Sequence, residues 1–301
     1  IYSPREQSLA RALPSEATLW IPHYNVPRLG RCRVVATVHD VAPLAIPSAF
    51  GGPLKQLAAR FLFSSVRKRA HRIIAVSDFT RGELTAHGVS ESKRIIVIPN
   101  GVSSYWFEGP ATEARVNRLL FVGNLKPHKN LERLVDVVEM ARRHLPLELV
   151  VIGRTSGFRS GLPGRLLDYM RTTPWIQLLG EVSDSELRAQ YREAAALVFP
   201  SMYEGFGLPV LEAMASGCPV ICSAIPSVQE VAGPPRETGG VVDYFDPTSS
   251  VDMAATIVRR LSLEVADRER SAADGRRLAA TYTWEKTARA TWEVLQEEAC
   301  R

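Results

Sequence analysis

Short apolar runs alternate with longer amphipathic segments along most of this chain. The apolar runs, each about the length of one strand and bounded by turn residues, fall at 33–38, 72–77, 95–98, 118–123, 148–153 and 176–180. Continuous apolarity over such lengths is typical of strands buried on both faces of a parallel sheet. In segment 53–72, Leu54, Leu57 and Phe61 share one helical face, which we expect to cover a sheet. Strands that alternate with helices predict an α/β fold.

The stretch 201–212 indicates a ligand site. It is a glycine-rich turn that lies between a predicted strand and a predicted helix. An apolar run ends at Phe199, and helical periodicity begins near Pro209. Glycine lets backbone N–H groups approach a ligand closely, and a helix N-terminus attracts anions. Glu204 and Glu212 flank this turn, and carboxylates repel phosphate but accept from sugar hydroxyls. The pattern predicts a nucleotide-sugar site; the plainer alternative is a strand–helix corner with solvated glutamates.

The run E-G-F-G-L-P-V-L-E-A-M-A-S-G-C-P-V, at 204–220, resembles the family-4 retaining glycosyltransferases, in particular bacterial mannosyl- and rhamnosyl-transferring members. The resemblance extends over nearly the whole chain. It implies the GT-B fold, an α/β architecture of two Rossmann-like domains that face a cleft. We expect an acceptor-side domain at 1–102, a nucleotide-sugar domain at 103–283 and, at 284–301, a helix that packs back toward the first domain.

The resemblance also implies roles for individual residues. Glu212 would accept from the ribose hydroxyls and Glu204 would lie near the donor sugar. Lys129, as a point charge, and the backbone of the glycine turn would hold the diphosphate. An Arg is often found where this chain has Asn124, so the diphosphate has one cation fewer unless Lys126 substitutes. The expected donor-binding residues are Gly123, Asn124, Lys129, Arg154, Val182 (backbone, toward the nucleobase), Gly205, Phe206, Gly207, Leu208 and Glu212.

His39 and Asp40 follow the strand at 33–38, at the end where open α/β sheets bind ligands. Together with the resemblance, this position predicts that His39 orients the donor sugar, so His39 and Glu204 are the expected catalytic residues. Asp40 would hold either the loop or the tautomer of the histidine. His23 and Tyr24 would lie near the cleft or pack on their own domain. Ser77 would help to order its loop.

The function we expect is transfer of a hexose, mannose first among the candidates, to a glycan or lipid-linked acceptor with retention of configuration. The expected donor is GDP-mannose, with UDP-hexoses and dTDP-rhamnose open; no further cofactor and no metal is expected. The resemblance implies attack on the face that the phosphate leaves, with that phosphate as the base. Two alternatives remain: a non-catalytic sugar-nucleotide-binding or scaffold protein, and another GT-B enzyme such as a sugar epimerase.

Composition and charge exclude few classes of binding partner. The 301-residue chain is 46% hydrophobic with a formal net charge of +5, which suits anionic nucleotides or an anionic membrane surface and does not imply nucleic acid. Arg67, Lys68 and Arg69 make segment 53–72 a basic amphipathic helix, which predicts either peripheral membrane contact or a solvated basic face. We expect reduced cysteines and a cytoplasmic protein at most peripheral to the membrane. The first residue is Ile1, so we expect the first domain to lack its opening strand and glycine-rich loop.

Overall fold

The computed structural model describes residues 10–109, 117–154 and 163–300. The chain divides into two compact units. The first comprises Ile1–Gly101, Glu204–Phe206 and Thr283–Arg301, and the second comprises Val102–Tyr203 and Gly207–Tyr282. Three residues of the glycine-rich turn therefore belong with the first unit, although the chain on either side of them belongs with the second.

Strands and helices alternate as the apolar pattern predicts. In the described parts of the chain the strands are β1 Thr18–Ile21, β2 Arg33–Val38, β3 Arg72–Ala75, β4 Ile95–Val97, β5 Arg118–Val122, β6 Glu148–Ile152, β7 Ile176–Gly180, β8 Ala196–Phe199, β9 Val220–Ser223 and β10 Asp243–Phe245. The α-helices there are α1 Ala42–Ala45, α2 Pro53–Arg69, α3 Asp78–Ala86, α4 Leu131–Ala141, α5 Gly164–Thr172, α6 Asp184–Glu193, α7 Leu208–Ala215, α8 Pro226–Ala232, α9 Ser250–Leu261, α10 Val265–Ala279 and α11 Trp284–Ala299.

The sheet of the first unit runs β1-β2-β3-β4 with every pair parallel. One face is covered by Phe63 of α2 and Leu84 of α3, which join a buried apolar cluster with the strands. Val294 of α11 packs on the other face, against Val35 and Ile74. Because the strands are parallel, their carboxyl ends share one edge of the sheet and their amino ends share the other.

The apolar face predicted for α2 is not the face that covers the sheet. Ala59, Phe63 and Val66 are buried, whereas the side chains of Leu54 and Leu57 are 83% and 64% exposed. At 100° per residue these two sets lie on opposite sides of the helix. The sequence therefore offers two apolar faces, and periodicity alone does not tell which of them meets the sheet.

The sheet of the second unit has the order β10-β9-β8-β5-β6-β7 in the described residues, again with all pairs parallel. Counted from β5 as its first strand, this is the 3-2-1-4-5-6 order of the Rossmann fold. The strand order reverses between β5 and β8. In open α/β sheets that reversal opens a crevice outside the carboxyl ends of the two strands, where ligands bind.

Candidate functional site

The loops that follow β5 and β8 meet at this reversal point of the second sheet. The N–H of Met202, after β8, donates to the carbonyl of His128, after β5, at 2.8 Å. Lys129 Nζ lies 5.8 Å from the centre of the Phe199 ring, and its side chain runs beside Gly123. The structure thus brings Gly123 and Lys129 together next to the end of β8.

Three glycines end the neighbouring strands β5, β6 and β7. The N–H of Gly123 donates to Ile152 O at 3.0 Å, and the N–H of Gly153 donates to Gly180 O at 2.8 Å. A Cβ atom on Gly153 would lie 1.9 Å from Gly123 O, so only glycine fits there. These strands therefore end in glycine backbone, with Gly153 packed directly on Gly123.

The other predicted donor residues of this half lie in the same set of loops. Asn124 is exposed directly after Gly123. Arg154 forms an exposed ion pair with Glu181, and this hydrogen-bonded partner raises the pKa of Arg154. Val182 is half-buried and precedes Ser183, which caps α6 in a reciprocal capping box with Glu186. The acidic residues at the start of α6 thus stabilise the N-terminus of that helix.

The glycine-rich turn leads into α7 through a position whose backbone conformation favours glycine. Gly207 has φ +112° and is the N-cap of α7, with Pro209 in the first turn. Few side chains tolerate this left-handed backbone. The turn delivers the N-terminus of an eight-residue helix to the end of β8, the geometry that favours an anion. Leu208, the first residue of α7, is half-buried.

Glu212 lies one turn further along α7 and is held by a tyrosine. The hydroxyl of Tyr191, on α6, donates to Glu212 Oε2 at 3.1 Å. Tyr191 is fully buried and meets Trp106 edge-on with ring centres 5.8 Å apart. Burial raises the pKa of Glu212 to about 7, against the opposing effect of the tyrosine hydrogen bond, and the charge of Asp184 raises it further. Near neutral pH this carboxyl is therefore poised between its two protonation states.

In the first unit, two hydroxyls fasten the turn through one carbonyl. Ser77 Oγ donates to Gly205 O at 2.6 Å, and Thr80 Oγ1 donates to the same oxygen at 3.1 Å. Ser77 is also the N-cap of α3, accepting from Thr80 N at 3.0 Å. A Cβ atom on Gly205 would lie 1.7 Å from His39 O, so this glycine packs directly on the backbone that follows β2. Phe206 beside it is buried, and Glu204 is half-buried.

His39 is exposed at the carboxyl edge of the first sheet, where its strand position predicts it. Its Nε2 lies 3.1 Å from Pro22 O. A carbonyl only accepts, so Nε2 carries a proton in this contact. Asp40 Oδ1 accepts from Ala42 N at 2.9 Å; of the two roles open to Asp40, the observed contact is the one that holds the loop.

The two aromatic residues between β1 and β2 pack within the first unit. The rings of His23 and Tyr24 are 4.0 Å apart, and Tyr24 stacks on Phe63 at 4.8 Å. Burial and, to a lesser degree, the nearby His39 lower the pKa of His23. His23 is therefore neutral at physiological pH. Of the two placements expected for Tyr24, near the cleft or against its own domain, the observed contact is the one against its own domain.

Sequence reasoning missed three groups that support the predicted residues. Tyr191 holds Glu212, Thr80 shares the Gly205 carbonyl with Ser77, and the Pro22 carbonyl sets the tautomer of His39. Tyr191 and Pro22 lie on other elements than the residues that they contact, and no local spacing in the sequence predicts such pairs. Thr80 alone had a signal, since it stands three residues after the helix cap Ser77.

Residues 106–277, more than half of the chain, match the family model described as Glycosyl transferases group 1. The chain belongs to this family. Residues 13–104 match a second model, Glycosyltransferase Family 4. These matches confirm the family that the run at 204–220 predicts, and with it the prediction of a glycosyltransferase.

Curated members of the family resemble the chain over much of its length. O-antigen chain mannosyltransferase B from Escherichia coli is 29% identical over 298 residues, which are 94% of this chain and 74% of that protein. O-antigen chain mannosyltransferase RfbU from Salmonella typhimurium is 34% identical over 209 residues, 69% of this chain and 56% of that protein. The chain thus spans between about half and three quarters of these relatives.

A solved structure confirms the fold. A sucrose-phosphate synthase from Thermosynechococcus elongatus superposes with a TM-score of 0.74 at 23% identity, covering 90% of this chain and 68% of that one. The predicted GT-B class, with two Rossmann-like domains built on parallel sheets, is confirmed. The roles of the individual site residues stay predictions.

Proposed function

We propose that this glycosyltransferase moves a mannose, with retention, from a nucleoside-diphosphate sugar to a glycan or lipid-linked acceptor. The observation that carries the proposal is the convergence at the strand-order reversal of the second sheet. Lys129 from the loop after β5 and the Gly207-capped helix after β8 lie at one crevice, joined by the Met202–His128 hydrogen bond. A cation, a helix N-terminus and bare glycine backbone are the groups that hold a diphosphate.

Each end of the donor has a proposed partner. Glu212 accepts from the ribose hydroxyls, and the backbone near Val182 receives the nucleobase. Lys129 and the N–H groups of the glycine turn take up the charge that develops on the leaving diphosphate. Asn124 adds a neutral donor where relatives often have a cation. Arg154 shares its charge with Glu181, so we propose that it contacts the donor only from the rim.

His39 and Glu204 are the proposed partners of the transferred sugar. Because the Pro22 carbonyl holds the Nε2 proton, His39 presents Nδ1 as an acceptor for a sugar hydroxyl. Glu204 accepts from another hydroxyl, and the two contacts orient the anomeric carbon. The departing phosphate removes the proton from the acceptor hydroxyl, which attacks on the same face. This route needs neither an enzymic nucleophile nor a metal.

GDP-mannose is the proposed donor. Its support is the names of the two O-antigen relatives, both mannosyltransferases, together with the P-H-Y-N-V-P segment at 22–27, which resembles a segment of the bacterial mannosyl- and rhamnosyl-transferring members. UDP-hexoses and dTDP-rhamnose are the competing donors. A binding panel that includes all of them decides the base.

The test is a thermal-shift panel of GDP-, UDP-, ADP- and dTDP-sugars on the wild type and on Glu212→Gln. A donor at about a hundred times its dissociation constant stabilises the fold by about 2.7 kcal/mol. We expect GDP-mannose to shift the wild type and to shift the variant much less. A shift by no nucleotide sugar, or an equal shift in both proteins, would contradict the proposed donor site.

Activity separates the proposed enzyme from the alternatives. Incubation with radiolabelled donor and a glycan or lipid-linked acceptor is expected to yield free GDP together with a labelled saccharide in the anomeric configuration of the donor. Donor binding without turnover would instead leave a sugar-nucleotide-binding protein. Release of an epimeric sugar would indicate an epimerase.

Peripheral membrane contact through α2 is the proposed setting for a lipid-linked acceptor. The exposed face of α2 combines Leu54, Leu57 and Phe61 with the cation Arg60, the mixture that lies on anionic bilayers. In the described residues, no helix has the length and apolarity to cross a membrane. Pelleting with anionic vesicles should be weakened by Leu54→Ser combined with Leu57→Ser. Equal pelleting of variant and wild type would contradict the contact.

A further inference from the structure

The amino edge of the first sheet carries a pocket that the proposed transfer does not use. The pocket, about 310 Å³ in volume, is lined by Arg33, Lys68, Arg69, Ala70, His71, Arg94 and Glu298. Arg33, His71 and Arg94 stand at or just before the first residues of β2, β3 and β4. His39 and Ser77 follow β2 and β3 at the opposite edge, roughly 20 Å away along a six-residue strand.

The charge of this pocket is strongly positive. Its lining holds four cations and one carboxylate, a balance of +3. The carboxylate, Glu298, is 2% exposed and is engaged by Arg33 at 3.4 Å and by Arg72 at 3.3 Å. Lys68 is exposed and pairs with no carboxylate in the described parts of the chain. The one carboxylate of the lining is thus paired with arginines while cations remain in excess.

Two of the arginines are held in place by backbone carbonyls. Arg69 Nη2 donates to Cys32 O at 3.3 Å, and Arg94 Nη1 donates to Arg67 O at 3.3 Å, with its Nη2 on Ala70 O. The bonds of Arg94 cap the last turn of α2 and that of Arg69 ties the helix to the residue before β2, but each arginine uses only part of a five-donor guanidinium. Arg69 Nε is buried with no hydrogen-bond partner in the described residues. A donor left in this state calls for an acceptor from outside.

His71 adds a neutral donor with a defined tautomer. The N–H of Val34 donates to His71 Nδ1 at 3.1 Å, so the ring proton lies on Nε2. Burial lowers the pKa of His71, and the charges of Arg33, Arg69 and Arg94 lower it further against the effect of Glu298. The imidazole therefore senses the positive field of the pocket and would register its neutralisation.

We propose that this pocket binds a phosphate group, as a phosphomonoester or a diphosphate, separately from the donor site. Three guanidinium groups and an ammonium match the several oxygens of phosphate, to which arginine donates in pairs. The lining has no Phe, Tyr or Trp ring on which a base could stack, so the recognised part is the phosphate itself. The source is either an anionic lipid headgroup or a soluble phosphate compound.

The test uses pyrophosphate as the probe and two double variants of equal charge change. Lys68→Gln with Arg69→Gln alters the pocket. Arg67→Gln with Lys93→Gln alters neighbouring exposed cations outside its lining. Titration calorimetry at constant ionic strength should give saturable binding that the pocket variant weakens by at least about tenfold and the control leaves unchanged. Lys68→Gln alone, at an exposed position, repeats the comparison if the double variant unfolds early.

The His71 ring gives a readout that is local to the pocket. Pyrophosphate should move the imidazole signal of His71, one of six histidines, and raise the pKa of its ring. Chloride at the same ionic strength should do neither. Pyrophosphate binding that does not saturate, that is equal in the two double variants, or that leaves the His71 signal in place would overturn the proposal.

Vesicles distinguish the two sources. Phosphatidylglycerol vesicles that bind the pocket variant more weakly than the control variant identify a lipid headgroup. If both variants bind these vesicles equally and differ only toward pyrophosphate, the ligand is a soluble phosphate compound. The donor panel with GDP-mannose is run alongside, since loss of its shift concerns Glu212 and not this pocket.

Discussion

Glu204 and Glu212 have seven residues between them and stand in different surroundings. Glu204 is half-buried beside Gly205, in the short segment that belongs with the first unit. Glu212 lies on α7 in the second unit, where Tyr191 donates to it and burial raises its pKa to about 7. One motif thus places two carboxylates in different environments, and packing rather than residue type separates them.

The largest effect should come from the loop carboxylate. Glu204→Gln is expected to lower kcat for sugar transfer by at least about a hundredfold, because a group that interacts with the reacting sugar acts mainly on the transition state. Donor binding should change little. Single-turnover kinetics with radiolabelled donor measure the first quantity, and the thermal shift measures the second. Normal turnover together with lost donor binding would reverse the roles assigned to the two glutamates.

Glu212→Gln should weaken donor binding and increase the stability of the fold. Loss of a charged acceptor for the ribose hydroxyls should weaken donor binding by about ten- to a hundredfold. The folded pKa of Glu212, about 7, exceeds its unfolded value. Its stabilising contribution is therefore complete below about pH 4.5 and is lost as pH rises through about 7.

The uncharged variant escapes this loss. The free energy of unfolding of Glu212→Gln should exceed that of the wild type by up to about 3 kcal/mol at pH 8 and by under about 1 kcal/mol at pH 5. Denaturant titrations without donor at the two pH values measure the difference. A variant less stable than the wild type at pH 8 would contradict the environment assigned to Glu212.

Donor affinity should itself depend on pH through the same carboxyl. If only ionised Glu212 accepts both ribose hydroxyls, the ionised fraction sets the apparent dissociation constant. With a pKa of about 7, binding should tighten about tenfold from pH 6 to pH 8. Calorimetry across this range measures the slope, with Glu212→Gln as the flat control. An equal slope in the variant would assign the titration to another group.

The smallest effect should come from the hydroxyls that fasten the turn. Ser77→Ala removes one of two donors to the Gly205 carbonyl, a loss of about 1 kcal/mol. If the contact positions Glu204, kcat should fall about fivefold with donor affinity unchanged. Thr85→Val is the matched control, since its hydroxyl bonds Arg81 O on the outside of the same helix. Equal kcat in both variants would reduce Ser77 to a helix cap.

Most of the fold class was predictable because its causes are local. Apolar runs of strand length and helical periodicity follow from the neighbours of each residue, and β2 and β7 lie where the pattern places them. The exposed face of α2 was not predictable, because Leu54 and Phe63 stand on opposite sides of a helix with two apolar faces. Periodicity finds a face, and only packing selects the one that is covered.

The sequence by itself determined the chemistry available to this protein: a glycine turn before a helix, two glutamates, a lysine after the first strand of the second unit, and cations around 67–72. Only the tertiary structure decided which of these groups meet. The reversal of strand order brings Lys129 beside Phe199, Tyr191 reaches Glu212 from another helix, and Ser77 fastens Gly205 from far along the chain. Such contacts depend on strand order and register, which chain neighbours do not encode.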